Sequence, residues 1–223
     1  MATVLITGAG KGIGNALARK FVSEGYSVIG TYLSSTPPSD IDAEWYHLDL
    51  SSPENIAKCV AEISRSEKKI DILVNNAGVL LDEEETNVIP EKLRKTLEVN
   101  LIGTIDFTER IIPLVNNDGH IINISSSAGS LGMADGTNSH YPRHYPSYKI
   151  SKTALNMYTR TLAVRLKDAG IVVSSVHPGW VRTDMGGQEA DISPEEAAEG
   201  IYYIAVSHPK TGQFWFKDER MPW

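Results

Sequence analysis

The chain has 223 residues, 41% of them apolar, which suits one large α/β domain with a sizeable core. A net charge of −7 without any polybasic run argues against a nucleic-acid or anionic-membrane partner. A strand-like run from Thr3 leaves little room for a leader, no apolar stretch is long enough to span a bilayer, and a lone Cys59 excludes an internal disulfide. The expectation is a cytoplasmic protein with no membrane partner.

In chain order, short apolar, β-branched runs alternate with longer amphipathic stretches. Strands are predicted at 4–6, 28–29, 70–74, 121–124 and 171–176, with weaker candidates at 46–48 and 214–216. Continuous rather than alternating apolar runs point to strands covered on both faces, hence a parallel sheet. Helices are predicted at 12–24, 53–64, 91–115, 146–168 and 194–207. Ser52 before Pro53 and Ser193 before Pro194 are N-caps followed by proline in the first turn. Repeated βα units of this kind build a doubly wound α/β sheet. One irregular stretch, 129–145, separates a strand from a helix and reads as a surface loop beside a site.

After the first strand, Thr7-Gly8-Ala9-Gly10-Lys11-Gly12-Ile13-Gly14 runs straight into a helix. Glycines permit a tight turn and close backbone approach to a phosphate, and the helix N-terminus adds free N–H groups and a favourable dipole. The predicted ligand is a dinucleotide. The second strand ends in Thr31-Tyr32-Leu33-Ser34-Ser35 with no acid to bind a ribose 2′-hydroxyl, while Lys11 places a cation in the turn. This pattern favours NADP(H) over NAD(H), with Thr31, Ser34 and Ser35 as further donors to a 2′-phosphate. The competing reading is that Lys11 is an ordinary solvated loop lysine.

Tyr148 and Lys152 stand four apart in a predicted helix, so both can face one site. A nearby ammonium is expected to lower the phenol pKa towards a range useful for proton transfer. A rival pair, Tyr145 and Lys149, has the same spacing. Pro146 disfavours helical geometry at Tyr145 and is expected to remove that pair from register.

With the glycine turn and the Tyr–Lys pair in place, the chain resembles the short-chain dehydrogenase/reductase family. The resemblance rests on Thr7-Gly8 through Gly12-Ile13-Gly14, Asn75-Asn76-Ala77-Gly78, Asn100, the segment Ile124-Ser125-Ser126-Ser127-Ala128-Gly129, Tyr148 with Lys152, and His177-Pro178-Gly179-Trp180-Val181-Arg182-Thr183. The segment from Pro178 to Gly187 and the run Met221-Pro222-Trp223 resemble more narrowly the sniffer-like and C-factor-like carbonyl reductases. The resemblance implies a single-domain Rossmann fold with about seven strands in a central parallel sheet. It also implies a dinucleotide-binding part mainly at 1–125 and substrate-side elements at 126–223.

The same resemblance implies roles for individual residues. Asn100, Ser126, Tyr148 and Lys152 would be catalytic, with Ser126 and Tyr148 on the substrate oxygen and Asn100 holding a water in a relay from Lys152. Gly8, Lys11, Gly12, Ile13 and Gly14 would hold phosphates, with Tyr32 and Ser34 nearby. Asp49 and Leu50 would contact adenine. Asn75, Ala77 and Gly78 would line the ribose, with Tyr148 and Lys152 beside them. Pro178, Gly179, Val181 and Thr183 would border the nicotinamide. Ser125 or Ser127 could take the place of Ser126, Asn100 could be a core residue bonded to backbone, and Asp49 could be a strand-end turn residue.

The implied activity is NADP(H)-dependent hydride transfer between the nicotinamide and a small-molecule carbonyl or alcohol. An NADP(H)-binding signalling protein and an NAD-dependent alcohol dehydrogenase are the alternatives, and a homo-oligomer is open. No metal is expected, since Pro142 breaks the spacing of His140 and His144. Asp82-Glu83-Glu84-Glu85 reads as a solvated acidic turn. A long 129–145 loop and a short 183–194 stretch together predict an open substrate site.

Overall fold

The computed structural model describes residues 1–34, 36–134 and 144–223. The readings of Ser35 as a phosphate donor, of the His140–Pro142 spacing, and of most of the 129–145 loop lie outside the described residues.

The elements follow the expected alternation. They are β1 (Thr3–Ile6), α1 (Gly12–Ser23), β2 (Ser27–Tyr32), β3 (Ala43–His47), α2 (Pro53–Ser64), β4 (Ile70–Asn75), α3 (Pro90–Leu97), α4 (Thr104–Ile111), β5 (Val115–Ile124), α5 (Pro146–Arg165), β6 (Val172–Val176), α6 (Pro194–Val206), β7 (Gln213–Phe216) and β8 (Glu219–Arg220). They form one eight-stranded sheet in the order β3-β2-β1-β4-β5-β6-β7-β8, parallel except for the β7–β8 pair. The extra strand is a two-residue hairpin arm, turned by Lys217 at φ 53°. Its charged Glu219 and Arg220 carry no apolar signal, which is why the sequence did not reveal it.

The sheet's two faces are set by residue alternation. Val4 and Ile6 of β1 point into a core with Leu17 and Phe21 of α1 and Ile201 and Ile204 of α6. Leu5, between them, points the other way, into a core with Ile56 and Ile63 of α2, Phe107 of α4 and Leu162 of α5. Both faces are therefore covered by helices, as continuous apolar runs require.

The single helix expected at 91–115 is broken. Between α3 and α4 lies a π-helical turn, Glu98–Gly103, and beyond α4 a 3₁₀ turn, Ile112–Leu114, leads into β5. The Thr104 hydroxyl donates to Val99 O at 3.0 Å within the widened turn. Pro113, lacking an N–H, ends the regular ladder. The helix expected at 146–168 likewise closes at Arg165 with a 3₁₀ turn, Lys167–Ala169.

The strand order reverses between β1 and β4, because β2 and β3 lie on one side of β1 and β4 on the other. At such a switch point the loops leaving the carboxyl ends diverge and open a crevice. The glycine turn leaves β1 and the Asn75–Gly78 segment leaves β4 at this place.

Candidate active site

The glycine turn is built into the sheet edge. Thr7 N–H donates to Val74 O at 3.0 Å, and Ala9 N–H to Thr31 O at 2.8 Å. Gly8 turns at φ 67°. A side chain on Gly14 would lie 2.4 Å from Gly8 O and 2.6 Å from Asn76 Nδ2, so only glycine fits there. Lys11, the N-cap of α1, is extended and makes no side-chain cap, so no side chain of the cap competes for the N–H groups of the first turn. An anion-binding helix start with bare backbone suits a dinucleotide phosphate.

Asn76 was missed as a site residue although it stands within the quoted motif. Its Nδ2 donates to Thr7 O (3.0 Å) and Gly8 O (3.3 Å), while Thr7 Oγ1 accepts from Asn76 N (3.0 Å) and Ala77 N (3.0 Å). Asn76 thereby locks the two loops of the switch point together. Its neighbour Asn75 does not face the crevice. The Asn75 amide donates to Thr108 Oγ1 at 2.9 Å and Asn123 Oδ1 at 2.8 Å, in a buried polar seam that continues through Thr159 to Ser175. Ala77 packs on Gly8, and Gly78 faces Asn100 and Lys152. A Cβ at Gly78 would be 3.2 Å from Asn100 Oδ1 and 3.7 Å from Lys152 Nζ.

Several expected cofactor contacts are otherwise engaged. Thr31 is buried and its hydroxyl accepts from Gly8 N at 3.2 Å, bracing the turn instead of facing a phosphate. Lys11 is largely exposed and donates to Asp184 Oδ2 at 2.7 Å, and this pair links the turn to the segment after β6. The Asp49 carboxylate accepts from Ser51 N (2.8 Å) and Ser51 Oγ (2.6 Å), which holds its pKa below the usual range; this is the strand-end turn role. Leu50 is a core side chain. Tyr32 packs edge-on against His47 and Ser34 is exposed. Thr183 brings a methyl against Gly12, while Val181 is buried and bridges to Ile192. Pro178 and Gly179 follow β6 at the same carboxyl edge. The stretch after Thr183 is short and tied to itself: Arg182 N donates to Ile192 O, and Arg182 Nη1 to Ala190 O and Asp191 O, all at 2.9 Å.

Ser126, Tyr148 and Lys152 converge. Ser126 follows β5; its Oγ accepts from Ala128 N at 3.1 Å and lies near enough to the Tyr148 hydroxyl to lower that group's pKa. Ser125 is buried with an unpartnered hydroxyl, and Ser127 opens a 3₁₀ turn. Lys152 is 5% exposed; its Nζ donates to Ile124 O at 2.8 Å and lies 5.5 Å from the Tyr148 ring centre. The expected lowering of the phenol pKa is not what this geometry gives. Burial pushes Tyr148 up to about 12 against a lowering contribution from Ser126, and burial pushes Lys152 down to about 8. The cost of taking either charge out of water dominates both shifts.

Asn100 sits in the π turn, fully buried. Its Oδ1 accepts from Val79 N at 2.7 Å, and its Nδ2 donates to Val79 O at 2.9 Å and Ser151 Oγ at 3.1 Å. The side chain thus clamps backbone, the reading left open from sequence, and ties the β4 loop to α5. Irregular π turns are frequent at functional sites.

The rival pair needs correction. Tyr145 is the N-cap of α5 with φ 50° and ψ 54°, yet its carbonyl accepts from Lys149 N at 3.1 Å and Lys149 Nζ lies 5.0 Å from its ring centre. Proline therefore does not break that contact. What separates the pairs is depth, since Lys152 is buried against β5 and Lys149 only partly buried.

The acidic turn also differs from expectation. Glu83 and Glu84 are exposed, but Asp82 is buried and accepts from Ser147 N at 2.6 Å. With no side-chain cap from Tyr145, Asp82 caps α5 from a distance, one residue before Tyr148. Glu85 O accepts from Tyr145 N at 2.9 Å and completes the strap. No local sequence signal links Asp82 to residues so far along the chain. Among the described residues no group of three or more His, Cys, Asp or Glu is disposed to hold a metal, and no helix is long and apolar enough to cross a membrane.

Residues 2–192 match the family model described as short chain dehydrogenase. The chain belongs to this family. A family relative, 1-hydroxy-2-glutathionyl-2-methyl-3-butene dehydrogenase of Rhodococcus sp., is 32% identical over 208 residues, covering 90% of this chain and 89% of the relative. Among solved structures, a short-chain dehydrogenase/reductase from Burkholderia multivorans with bound NADP is 28% identical, with TM-score 0.87 over 100% of this chain and 99% of that one. The carbonyl reductase Sniffer of D. melanogaster is 26% identical, with TM-score 0.84 over the whole of both chains. Membership of this family makes the chain an oxidoreductase.

Proposed function

We propose that this protein reduces ketones or aldehydes with NADPH, and that Ser126, Tyr148 and Lys152 carry the reaction. The observation that bears most weight is the hydroxyl pair Ser126–Tyr148 above a buried Lys152, across Gly78 from the switch-point crevice. The glycine turn and bare start of α1 would hold the cofactor's phosphates. The absence of an acid at the end of β2 and the cation at Lys11 favour a 2′-phosphate. The NADP bound to the Burkholderia relative and the reductase activity named for Sniffer support the same reading. Lys11 must exchange Asp184 for phosphate, which costs little because both partners are exposed.

When bound, NADPH supplies the hydride. Ser126 and Tyr148 hydrogen-bond the substrate carbonyl oxygen and orient its carbon towards the crevice. As negative charge grows on that oxygen, Tyr148 donates its proton to it, giving the alcohol and a phenolate. With a pKa near 12, Tyr148 is fully protonated at neutral pH and ready to act as the acid. Lys152, largely charged below about 8, offsets the phenolate until a proton returns from solvent. Asn100 is a positioning residue that fixes Val79, and with it Gly78, against α5. The self-tied 183–194 stretch supports an open site with broad carbonyl selectivity.

The test is loss of NADPH absorbance with a panel of small and bulky aldehydes, ketones and dicarbonyls, repeated with NADH. Turnover of several panel members with NADPH preferred is expected. No turnover of any carbonyl, alongside tight NADPH binding and capture of a specific protein partner, would replace the enzyme reading with a signalling one.

A further inference from the structure

The run Met221–Trp223 has no part in the site described so far, yet it is held firmly. The Trp223 ring stacks on buried Phe214 of β7 with centres 5.7 Å apart, and the Arg160 guanidinium of α5 lies 5.4 Å from its centre. Met221 N donates to Phe214 O at 2.9 Å. From this anchorage, two backbone carbonyls reach the segment that leaves Ser126. Ser130 Oγ donates to Pro222 O at 2.8 Å, and Gly132 N to Trp223 O at 2.5 Å. A side chain on Gly132 would meet Pro222 Cβ at 2.9 Å, so the two backbones approach as closely as glycine permits.

On its other side the same segment is pinned to α5. Gly129 O accepts from Thr153 Oγ1 and from Asn156 Nδ2, each at 3.1 Å. Residues 129–132 are thus clamped between the helix carrying Tyr148 and Lys152 and the Pro222–Trp223 backbone. Leu131, between the two braced residues, remains 71% exposed, an apolar contact available to a bulky substrate. The braced residues Ser130 and Gly132 follow Ser126 by four and six positions and continue from Gly129, which is bonded to the helix that carries Tyr148 and Lys152.

We propose that Pro222 and Trp223 form a brace that sets the course of residues 130–134 and thereby selects among carbonyl substrates by bulk; the selectivity rests on the reduction proposed above. Trp223 and Ser130 are positioning residues, acting through the segment that carries Leu131. The experiment compares wild type with Trp223→Ala, Trp223→Phe and Ser130→Ala, using a compact and a bulky aryl carbonyl and amide hydrogen exchange. Trp223→Ala should lose about tenfold in kcat/KM for the bulky substrate, chiefly through KM, with compact-substrate turnover and NADPH affinity held within about twofold. Exchange at the amides of Ser130 and Gly132 should quicken. Trp223→Phe, which can still stack on Phe214, should restore both readouts. Ser130→Ala, which leaves Trp223 in place, should reproduce the selective loss.

Equal losses on both carbonyls, or unchanged selectivity in Ser130→Ala, would overturn the selectivity role. Should wild type reduce no carbonyl, the reaction reading falls, and the exchange data decide the brace alone. Unaltered exchange at Gly132 in Trp223→Ala overturns it.

Discussion

Replacing Tyr148 by Phe removes a single oxygen from the centre of the proposed reaction. The ring and its packing over Lys152 are kept, but the proton donor beside Ser126 is lost. A positioned general acid contributes about 10²–10⁴-fold. Tyr148 is only partly exposed, which limits the room for a water to take the place of its hydroxyl, so the upper part of that range applies. The expected fall in kcat is about 10³–10⁴-fold, or roughly 4–5 kcal/mol of barrier. Removing one hydroxyl should cost no more than about 1 kcal/mol of stability, a shift of at most roughly 2–4 °C in Tm for a chain of this size. The assay pairs steady-state NADPH consumption with NADPH binding followed by fluorescence. Turnover within about tenfold of wild type, with folding and NADPH affinity intact, would refute Tyr148 as the acid.

Three further outcomes follow from the site and core. Lys152 loses its charge as pH rises through about 8, so the reduction rate should decline above that pH with the slope of one proton; a profile flat well into the alkaline range contradicts its electrostatic role. His120 is buried and His177 is partly buried with its Nδ1 enclosed, and both are held down to about 4 from 6.5, so the unfolded chain binds more protons between these values, and stability falls as pH drops through them. His120→Asn should flatten the Tm-against-pH curve between about 4 and 6.5, and an unchanged slope there would dismiss the argument. Asp82→Ala strands the Ser147 N–H and should cost about 1–3 kcal/mol while lowering kcat more than it raises KM; Asp82→Asn, still an acceptor, should recover most of both, and equal damage by the two variants would discount the remote cap.

How much could be read from the chain depends on the range of the interaction that set each feature. The alternation of apolar runs and capped helices comes from near neighbours and from burial on two faces, so the parallel α/β sheet was legible, as was α2, with Ser52 accepting from Asn55 N at its start. The glycine turn was legible because its demand is local: Gly14 has no space for a side chain. The spacing of Tyr148 and Lys152 placed both on one helical face, but the rival Tyr145 and Lys149 are also in contact, and only depth in the tertiary structure tells the pairs apart.

Partners distant in sequence were hidden for the same physical reason. Asn75 and Asn76 are adjacent and chemically alike, yet the last residue of β4 enters the core seam while the next, just beyond the strand, reaches the glycine turn. Asp82 sits among four consecutive acids, and folding alone carries it to the start of α5. The pKa directions of Tyr148 and Lys152 were also beyond the sequence, since spacing predicts attraction and only packing reveals the desolvation that outweighs it. The sequence by itself determined the parallel α/β alternation, the phosphate-binding turn and the residue types available on α5. Tertiary structure decided which hydroxyls, amides and carboxylates meet, because hydrogen bonds and burial depend on position in space and not on separation along the chain.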